Sequence, residues 1–251
     1  MKRKNYLENK VYIVGAGCGD CELITLKGLK ILKKADCVIY DYLVNKKLLR
    51  YASKTAELIN ADDTRNSFSD SSTTEQDKLN ILIVEKAKKY KTVVRLKNGD
   101  SVIFGRLNEE VEILVKNKID FEIIPGITAA SSAAASLNIG LTKTKIAPVV
   151  SFITGHENPA GKKSSVDYAL LPKQGTLVFY MATENLKKIT KKLIKVGWNK
   201  NMFCAIVEKA GFHNEKKRIG RLKDVRKIVA GIKPPVVFIV GDVLKYAFKK
   251  K

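Results

Sequence analysis

The residue types most able to do chemistry in this chain lie in the segment RLKNGDSVIFGRLNEE, residues 95–110. The segment begins at the end of a predicted strand, the place where open α/β sheets bind ligands. Asn98-Gly99-Asp100 is typical of a tight turn. Arg106 follows a glycine, and its planar guanidinium suits a carboxylate partner. The pattern alone also fits a wide loop with a surface arginine, so both interpretations stand.

A second candidate is the glycine-rich loop VGAGCGD, residues 14–20, between a predicted strand and a predicted helix. Glycines let the chain turn sharply and let a ligand approach the backbone. A dinucleotide-binding loop would have a third glycine where Asp20 stands, although Asp41 could serve as the acid that such loops have about 20 residues further on. A nicotinamide enzyme and a plain turn therefore remain alternatives.

Two shorter motifs also follow predicted strands. IPGITAA, residues 124–130, places Thr128 where it could cap a helix or face a polar ligand group. FYMAT, residues 179–183, places Met181 where it could contact an adenine ring or belong to the core.

The CxxC pair Cys18 and Cys21 predicts either a redox pair at the start of a helix or half of a zinc site. A zinc site needs about four ligands, and His156 and His213 are isolated in the sequence. We therefore expect no metal.

The elements that must position these motifs are short apolar runs that alternate with amphipathic stretches, a pattern that predicts mainly parallel α/β sheets. A connector at 139–145 divides the pattern into two α/β domains, 1–140 and 141–251. Strands are predicted at 11–14, 37–40, 92–96, 121–124, 149–154, 176–180, 202–207 and 236–240, helices at 23–34, 74–89, 109–116, 128–136 and 183–196, a hairpin at 218–219 and an exposed loop at 157–165.

The composition is that of a folded, strongly basic protein. The 251 residues are 45% hydrophobic, and 47 lysines and arginines against 25 acids give a formal charge of +22. The sequence has no secretion signal and no apolar run long enough to span a membrane, so we expect a cytoplasmic protein. The charge fits a lysine-rich genome, a polyanionic small-molecule substrate or a nucleic-acid-binding protein, although no finger spacing or aromatic RNA-binding pattern supports the last.

Nine motifs, in this order, resemble the tetrapyrrole methylase family from Val11 to about Val243: VYIVGAGCGD, LITLKGL, ADCVIYD, VVRLKNGD, FGRxxEE, PGITAA, ITGH, TLVFYM and VEKA. The motifs are most similar to those of members that use S-adenosylmethionine to methylate uroporphyrinogen III on two rings, giving precorrin-2 for siroheme or cobalamin synthesis. The resemblance implies a homodimer of two-domain α/β chains with the active site in the cleft between the domains. A methyltransferase that acts on a later precorrin is the alternative.

The resemblance also implies roles for individual residues. Asp41 matches a strand-end acid that accepts a proton, and Arg106 and Glu109 match residues placed at the tetrapyrrole. We expect Arg106 to bind a substrate carboxylate, because arginine does not lose its proton in proteins. Lys143 and Lys145 are further candidates for substrate binding. The implied cofactor contacts are Cys18, Asn98, Gly99, Asp100, Ile103, Thr128, Ala129, Met181 and Ala210.

Several positions depart from the family pattern. Thr144 takes the place of a substrate-binding arginine, and Ala61–Asp63 lies where the family has Gly-Lys-Arg, so no proton donor is assigned. We expect these changes to affect substrate affinity more than reaction type. The other departures are Cys18, Cys21 and Ser101 in place of prolines and Asn98, Leu107 and Asn108 in place of glycines.

Overall fold

The computed structural model describes residues 9–66, 74–156 and 166–247. The loop predicted at 157–165 lies outside the described residues. The chain forms two compact units, Met1–Thr128 and Ala129–Lys251. Within the described residues, no helix is long and apolar enough to cross a membrane.

The first unit is built on a five-stranded sheet in which all paired strands run parallel. The strand order is β3-β2-β4-β1-β5. Its strands are β1 (Lys10–Gly15), β2 (Cys37–Tyr40), β3 (Glu57–Asn60), β4 (Thr92–Lys97) and β5 (Asp120–Ile124), and its helices are α1 (Leu26–Leu32), α2 (Glu75–Lys89) and α3 (Leu107–Lys116). The periodicity did not predict β3, because this edge strand has mostly half-exposed residues with no apolar alternation.

Alternate residues of the central strand β4 pack on opposite faces of this sheet. Val93 belongs to a core with Leu79 of α2 and Leu114 of α3. Val94 belongs to the core on the other face, with Leu32 of α1. The next residues along the first of these faces are Arg95 and Lys97, so α2 and α3 cover two cations as well as apolar side chains.

Side-chain caps fix where the helices of this unit begin. Thr74 and Asp77 form a capping box, in which each side chain accepts a hydrogen bond from the other residue's N–H at 3.2 Å, which confirms the predicted start of α2. The helix predicted from Leu23 begins only at Leu26, because Thr25 caps it by accepting from the N–H of Gly28 at 3.1 Å.

The second unit is built on a mixed five-stranded sheet of order β6-β7-β10-β8-β9. Strands β6 and β7 are parallel, whereas β10 is antiparallel to β7 and β8. The predicted hairpin is confirmed as the antiparallel pair of β8 and β9. The elements are α4 (Ala129–Ser136), β6 (Val150–Thr154), β7 (Thr176–Tyr180), α5 (Leu186–Lys195), β8 (Phe203–Glu208), β9 (Lys216–Arg221), α6 (Val225–Ile228) and β10 (Val236–Val240).

The prediction of a mainly parallel sheet is therefore confirmed for the first unit and wrong for the second. The alternation of apolar runs with helices does not specify strand direction, and a hairpin needs only a short turn. The division at Thr128 falls before the domain limit at 140, because α4 packs on β10. The limit at 140 stays a prediction.

Four glycines allow the loops at the carboxyl edge of the first sheet to pack backbone against backbone. Gly17 and Gly99 exchange two N–H···O bonds of 3.1 and 2.7 Å, which join the loop after β1 to the loop after β4. A Cβ atom on Gly126, in the loop after β5, would overlap the carbonyl oxygen of Gly99 and lie 2.8 Å from the backbone of Gly15. The three loops therefore pack too closely to admit a side chain at Gly126.

We predict that Gly126→Ala lowers the free energy of unfolding by about 1–3 kcal/mol, because the added methyl group forces these loops apart. Urea denaturation followed by circular dichroism measures the change. Gly220→Ala on β9 is the control, since its Cβ would meet only side-chain atoms of Ile228 at 3.0 and 3.6 Å. Equal stability of the two variants would show that the loops separate without cost.

Candidate functional site

The parallel strands of the first unit bring four of the sequence-predicted residues to one edge of the sheet. Cys18 follows β1, Asp41 follows β2, Asn98 follows β4 and Thr128 follows β5. Because β2, β4, β1 and β5 are neighbours in the sheet, their carboxyl ends lie side by side. Asn45, beyond β2, donates through Nδ2 to the carbonyl of Gly19 at 2.7 Å and so connects the second loop to the glycine loop.

The loop after β4 is held by its own aspartate. The Asp100 carboxylate accepts a hydrogen bond from the N–H of Val102 at 3.1 Å. The backbone carbonyl of Asp100 accepts one from the N–H of Ile103 at 3.2 Å. Two polar atoms of this loop, Oδ1 of Asn98 and Oγ of Ser101, are buried and have no hydrogen-bond partner within the described part of the chain. Buried polar atoms are normally hydrogen-bonded, so these two have acceptor capacity left for a ligand or water.

Arg106 lies at the start of α3 with its side chain exposed. Its backbone is left-handed, with φ of 51°, which is uncommon for a residue that is not glycine. The described residues provide no hydrogen bond or ion pair to its guanidinium. Glu109, one turn further along α3, is also exposed. Both side chains are therefore accessible to an external ligand, as the sequence predicted for residues that bind substrate.

The second glutamate of the FGRxxEE motif has a different environment. Glu110 is fully buried, and its Oε1 accepts from Nε of Arg95 at 3.0 Å and from Nζ of Lys97 at 2.5 Å. Nη2 of Arg95 also donates to Oδ1 of Asp41 at 2.5 Å. We call Asp41, Arg95, Lys97 and Glu110 the buried charge cluster.

Electrostatics within this cluster depend on burial. Desolvation lowers the pKa of Lys97, and the neighbouring charge of Arg95 lowers it further. Desolvation also acts to lower the pKa of Arg95, but Glu110 and Asp41 outweigh it and the pKa is raised. Two cations and two carboxylates therefore share a site where an unpaired charge would be costly.

Arg95, Lys97 and Glu110 were not among the site residues predicted from the sequence. A signal for them was present, because the predicted strand at 92–96 is mostly apolar yet contains Arg95, and Lys97 follows it two residues further on the same face. Such cations need carboxylate partners. The partner could not be chosen from the sequence, since Glu109 and Glu110 are adjacent.

The second unit places Met181 and Ala210 at one edge of its own sheet. Met181 directly follows β7 and Ala210 comes shortly after β8, and these two strands run in the same direction because both are antiparallel to β10. Met181 has φ of 53° and is 52% exposed, whereas Ala210 is buried. A half-exposed methionine at a strand end is accessible to an apolar ligand group.

The start of α4 is tied to the same sheet. The hydroxyl of Tyr180 accepts from the N–H of Ala130 at 3.3 Å. This bond holds the first turn of the helix, which begins at Ala129, against the end of β7. Ala129 and Met181 are thereby positioned by the same tyrosine.

Lys143 and Lys145 lie in an exposed turn of the second unit. The N–H groups of Ile146 and Ala147 both donate to the carbonyl of Lys143, at 3.0 and 2.8 Å. Nζ of Lys143 lies 4.5 Å from the ring centroid of Tyr246. Lys143 is therefore held over an aromatic ring, while Lys145 extends from a left-handed backbone position with φ of 65°.

The cysteines occupy contrasting environments. Cys18 is buried and Cys21 is half-buried. Burial raises the pKa of Cys37 to about 11 and that of Cys204 to about 12, which leaves both thiols largely un-ionised at neutral pH. The described residues contain no group of three or more histidine, cysteine, aspartate or glutamate side chains that could hold a metal ion.

We predict that Glu110→Gln lowers the free energy of unfolding by about 3–5 kcal/mol, because Arg95 and Lys97 lose the carboxylate that both of them contact. Glu109→Gln, on the exposed side of the same helical turn, is the control and should change it by less than about 0.5 kcal/mol. Urea titration of both variants provides the comparison. Matching midpoints would mean that the cluster does not need the charge of Glu110.

Comparison with known proteins connects this arrangement to a family. Residues 10–226 match the family model described as Tetrapyrrole (Corrin/Porphyrin) Methylases. An S-adenosyl-L-methionine-dependent uroporphyrinogen III methyltransferase of Methanosarcina barkeri is 37% identical over 238 residues, which cover 94% of this chain and 92% of that protein.

Solved structures show the same fold. A uroporphyrin-III C-methyltransferase of Thermus thermophilus, complexed with S-adenosylhomocysteine, has a TM-score of 0.80 and 30% identity, with 94% of this chain and 99% of that chain covered. A cobalt precorrin-4 methyltransferase of cobalamin biosynthesis has a TM-score of 0.83 and 27% identity, with 97% and 99% covered. The match spans both units, and the chain is a member of the tetrapyrrole methylase family.

Proposed function

We propose that this protein is a uroporphyrinogen-III C-methyltransferase, which transfers methyl groups from S-adenosylmethionine to two rings of uroporphyrinogen III and releases precorrin-2. The observation that carries the proposal is the full-length similarity to a methyltransferase named for this substrate and this methyl donor. The exposed arginine of the FGRxxEE motif supports it, because the substrate carries eight carboxylates and no carboxylate among the described residues pairs with Arg106. The formal charge of +22 would also attract such a polyanion.

The residues proposed to contact the cofactor fit a ligand with polar and apolar parts. In the first unit these are Cys18, Asn98, Gly99, Asp100, Ile103 and Thr128, and in the second Ala129, Met181 and Ala210. The unpartnered Oδ1 of Asn98 can accept a hydrogen bond from the ligand. The exposed side chain of Met181 offers an apolar surface.

S-adenosylmethionine, when bound, supplies an electrophilic methyl group. The pyrrole carbons are already nucleophilic, so the protein's main task is to hold the two reactants in line. Arg106, with Lys143 and Lys145, binds substrate carboxylates and so sets the position of the macrocycle. Asp41 accepts the proton that the methylated macrocycle loses, with Glu109 as the other candidate.

Further proposals follow from the family. We propose that the protein acts as a homodimer in the cytoplasm and that its product serves siroheme or cobalamin synthesis. A methyltransferase for a later precorrin is the second candidate. The TM-score of 0.83 with a cobalt precorrin-4 methyltransferase is as high as the 0.80 with the uroporphyrin-III enzyme.

Anaerobic incubation of the protein with S-adenosylmethionine and uroporphyrinogen III distinguishes these candidates. We expect mass spectrometry to show a gain of two methyl groups and formation of S-adenosylhomocysteine. Absence of any methylated product from uroporphyrinogen III, together with methylation of precorrin-4, would favour the second candidate. Loss of the product when the donor is omitted is the control.

We predict that Arg106→Ala raises the dissociation constant for uroporphyrinogen III by roughly 10- to 100-fold, because a charge-assisted hydrogen bond contributes about 1.5–3 kcal/mol. Affinity for S-adenosylhomocysteine should stay within about twofold. Arg50→Ala removes the same charge from another exposed position and serves as the control for long-range attraction. Unchanged substrate affinity in Arg106→Ala, measured by anaerobic calorimetry, would refute the assignment.

A further inference from the structure

We infer that Arg95 is a positioning residue for methyl transfer, because its guanidinium holds the Asp41 carboxylate in the orientation in which it accepts the substrate's proton. The inference rests on the proposed function and adds a residue that never meets the substrate itself. Arg95 is 2% exposed, so any effect on turnover must act through a neighbour.

Every nitrogen of the Arg95 guanidinium has a defined partner. Nε donates to Glu110 at 3.0 Å, and Nη2 donates to Asp41 at 2.5 Å. Nη1 lies 3.4 Å from the carbonyl oxygens of Ile39 and Leu96, on the two strands that it bridges. A planar group bound at all three nitrogens cannot rotate, so it holds the Asp41 carboxylate in one place.

The sheet brings these two residues together through its register. Ile39 of β2 pairs with Arg95 of β4, and side chains two residues apart share a face. Asp41 therefore follows Ile39 on the face where Arg95 lies. Its own backbone is fixed as well, since its N–H donates to Leu96 at 3.2 Å and its carbonyl accepts from Val44 at 3.0 Å.

Exposure separates Asp41 from the rest of the buried charge cluster. The side chains of Arg95, Lys97 and Glu110 are 1–4% exposed, whereas that of Asp41 is 31% exposed. A cluster that served stability alone would have no need to direct one carboxylate outwards at the ligand-binding edge of a sheet. The three buried members form a rigid support, and Asp41 is the member that a substrate can reach.

Methyl transfer must be followed by loss of a proton from the macrocycle, and Asp41 is placed to accept that proton. The carbon–sulfur bond of the donor breaks with its electron pair left on sulfur, and the π electrons of the macrocycle form the new carbon–carbon bond. Methyl transfer leaves the macrocycle with a positive charge, and loss of a proton to the Asp41 carboxylate makes the macrocycle neutral again. The carboxylate must lie along the direction of that proton, and a misplacement of about 1 Å can cost roughly 100-fold in rate.

A double-mutant cycle tests whether Arg95 acts through Asp41. Arg95→Lys keeps the buried charge but cannot reach Glu110 and Asp41 together. We expect it to lower kcat by roughly 10- to 100-fold, with KM for both substrates within about twofold. In an Asp41→Asn background, Arg95→Lys should lower kcat no further, because there is no longer a carboxylate to position.

Lys97→Met is the matched control. It disturbs the same buried cluster, but Lys97 contacts Glu110 and not Asp41. Its effect on kcat should therefore be the same factor in both backgrounds. Independent, multiplicative effects of Arg95→Lys and Asp41→Asn would overturn the proposal, as would a full kcat in a folded Arg95→Lys enzyme.

Two further results keep the test decisive. If Arg95→Lys does not fold, the charge-balanced pair Arg95→Gln with Glu110→Gln takes its place, with the same expected loss of kcat. If Asp41→Asn is too slow to measure, the split between kcat and KM in the arginine variant decides, and a loss caused by weaker binding would count against positioning. If the wild-type enzyme methylates uroporphyrinogen III and the Asp41→Asn variant is fully active, the role of Arg95 is refuted. The proposed function is then still supported.

Discussion

One carboxylate oxygen buried beneath helix α3 holds the carboxyl edge of the first sheet together. Oε1 of Glu110 accepts hydrogen bonds from both Arg95 and Lys97, and Arg95 also donates to Asp41. Without this carboxylate, Lys97 would lose its ion-pair partner and Arg95 would keep only Asp41. An uncompensated cation among apolar side chains is among the most costly arrangements in a protein interior. The position of α3 on the sheet, and with it that of Arg106 and Glu109, follows from satisfying these charges.

The same edge shows how a family turn can tolerate unusual residues. Cys18 and Ser101 lie where the sequence resemblance implies prolines, and Asn98 where it implies a glycine. The backbone bonds between Gly17 and Gly99 nevertheless join the two loops. The requirement is for close approach of the backbones, which glycine meets at positions 15 and 126. Among the described residues, the buried oxygens Oδ1 of Asn98 and Oγ of Ser101 have no hydrogen-bond partner, so this loop has polar groups that a proline or a glycine side chain would not provide.

Charge is used in two ways within a few residues of α3. The side chains of Arg106 and Glu109 are exposed and form no hydrogen bond or ion pair with the part of the chain described here. They are therefore suited to recognise an external ion. Glu110 is buried and forms ion pairs with Arg95 and Lys97. Neighbouring residues on a helix point about 100° apart, so two adjacent glutamates can have one exposed and one buried side chain. Under the proposed function, the exposed one faces the substrate and the buried one stabilises the helix that presents it.

The order of the amino acids was enough to predict the family, most strands and helices, and the residue types that follow each strand. These follow from local rules, since hydrophobic periodicity, capping residues and turn glycines act within a few residues of one another. Three features emerge only in the folded chain: β10 runs antiparallel to its neighbours, β3 completes an edge of the first sheet, and Glu110 rather than Glu109 is the partner of Arg95. Strand direction and ion pairing depend on which distant segments meet, and the order of residues along the chain leaves that open.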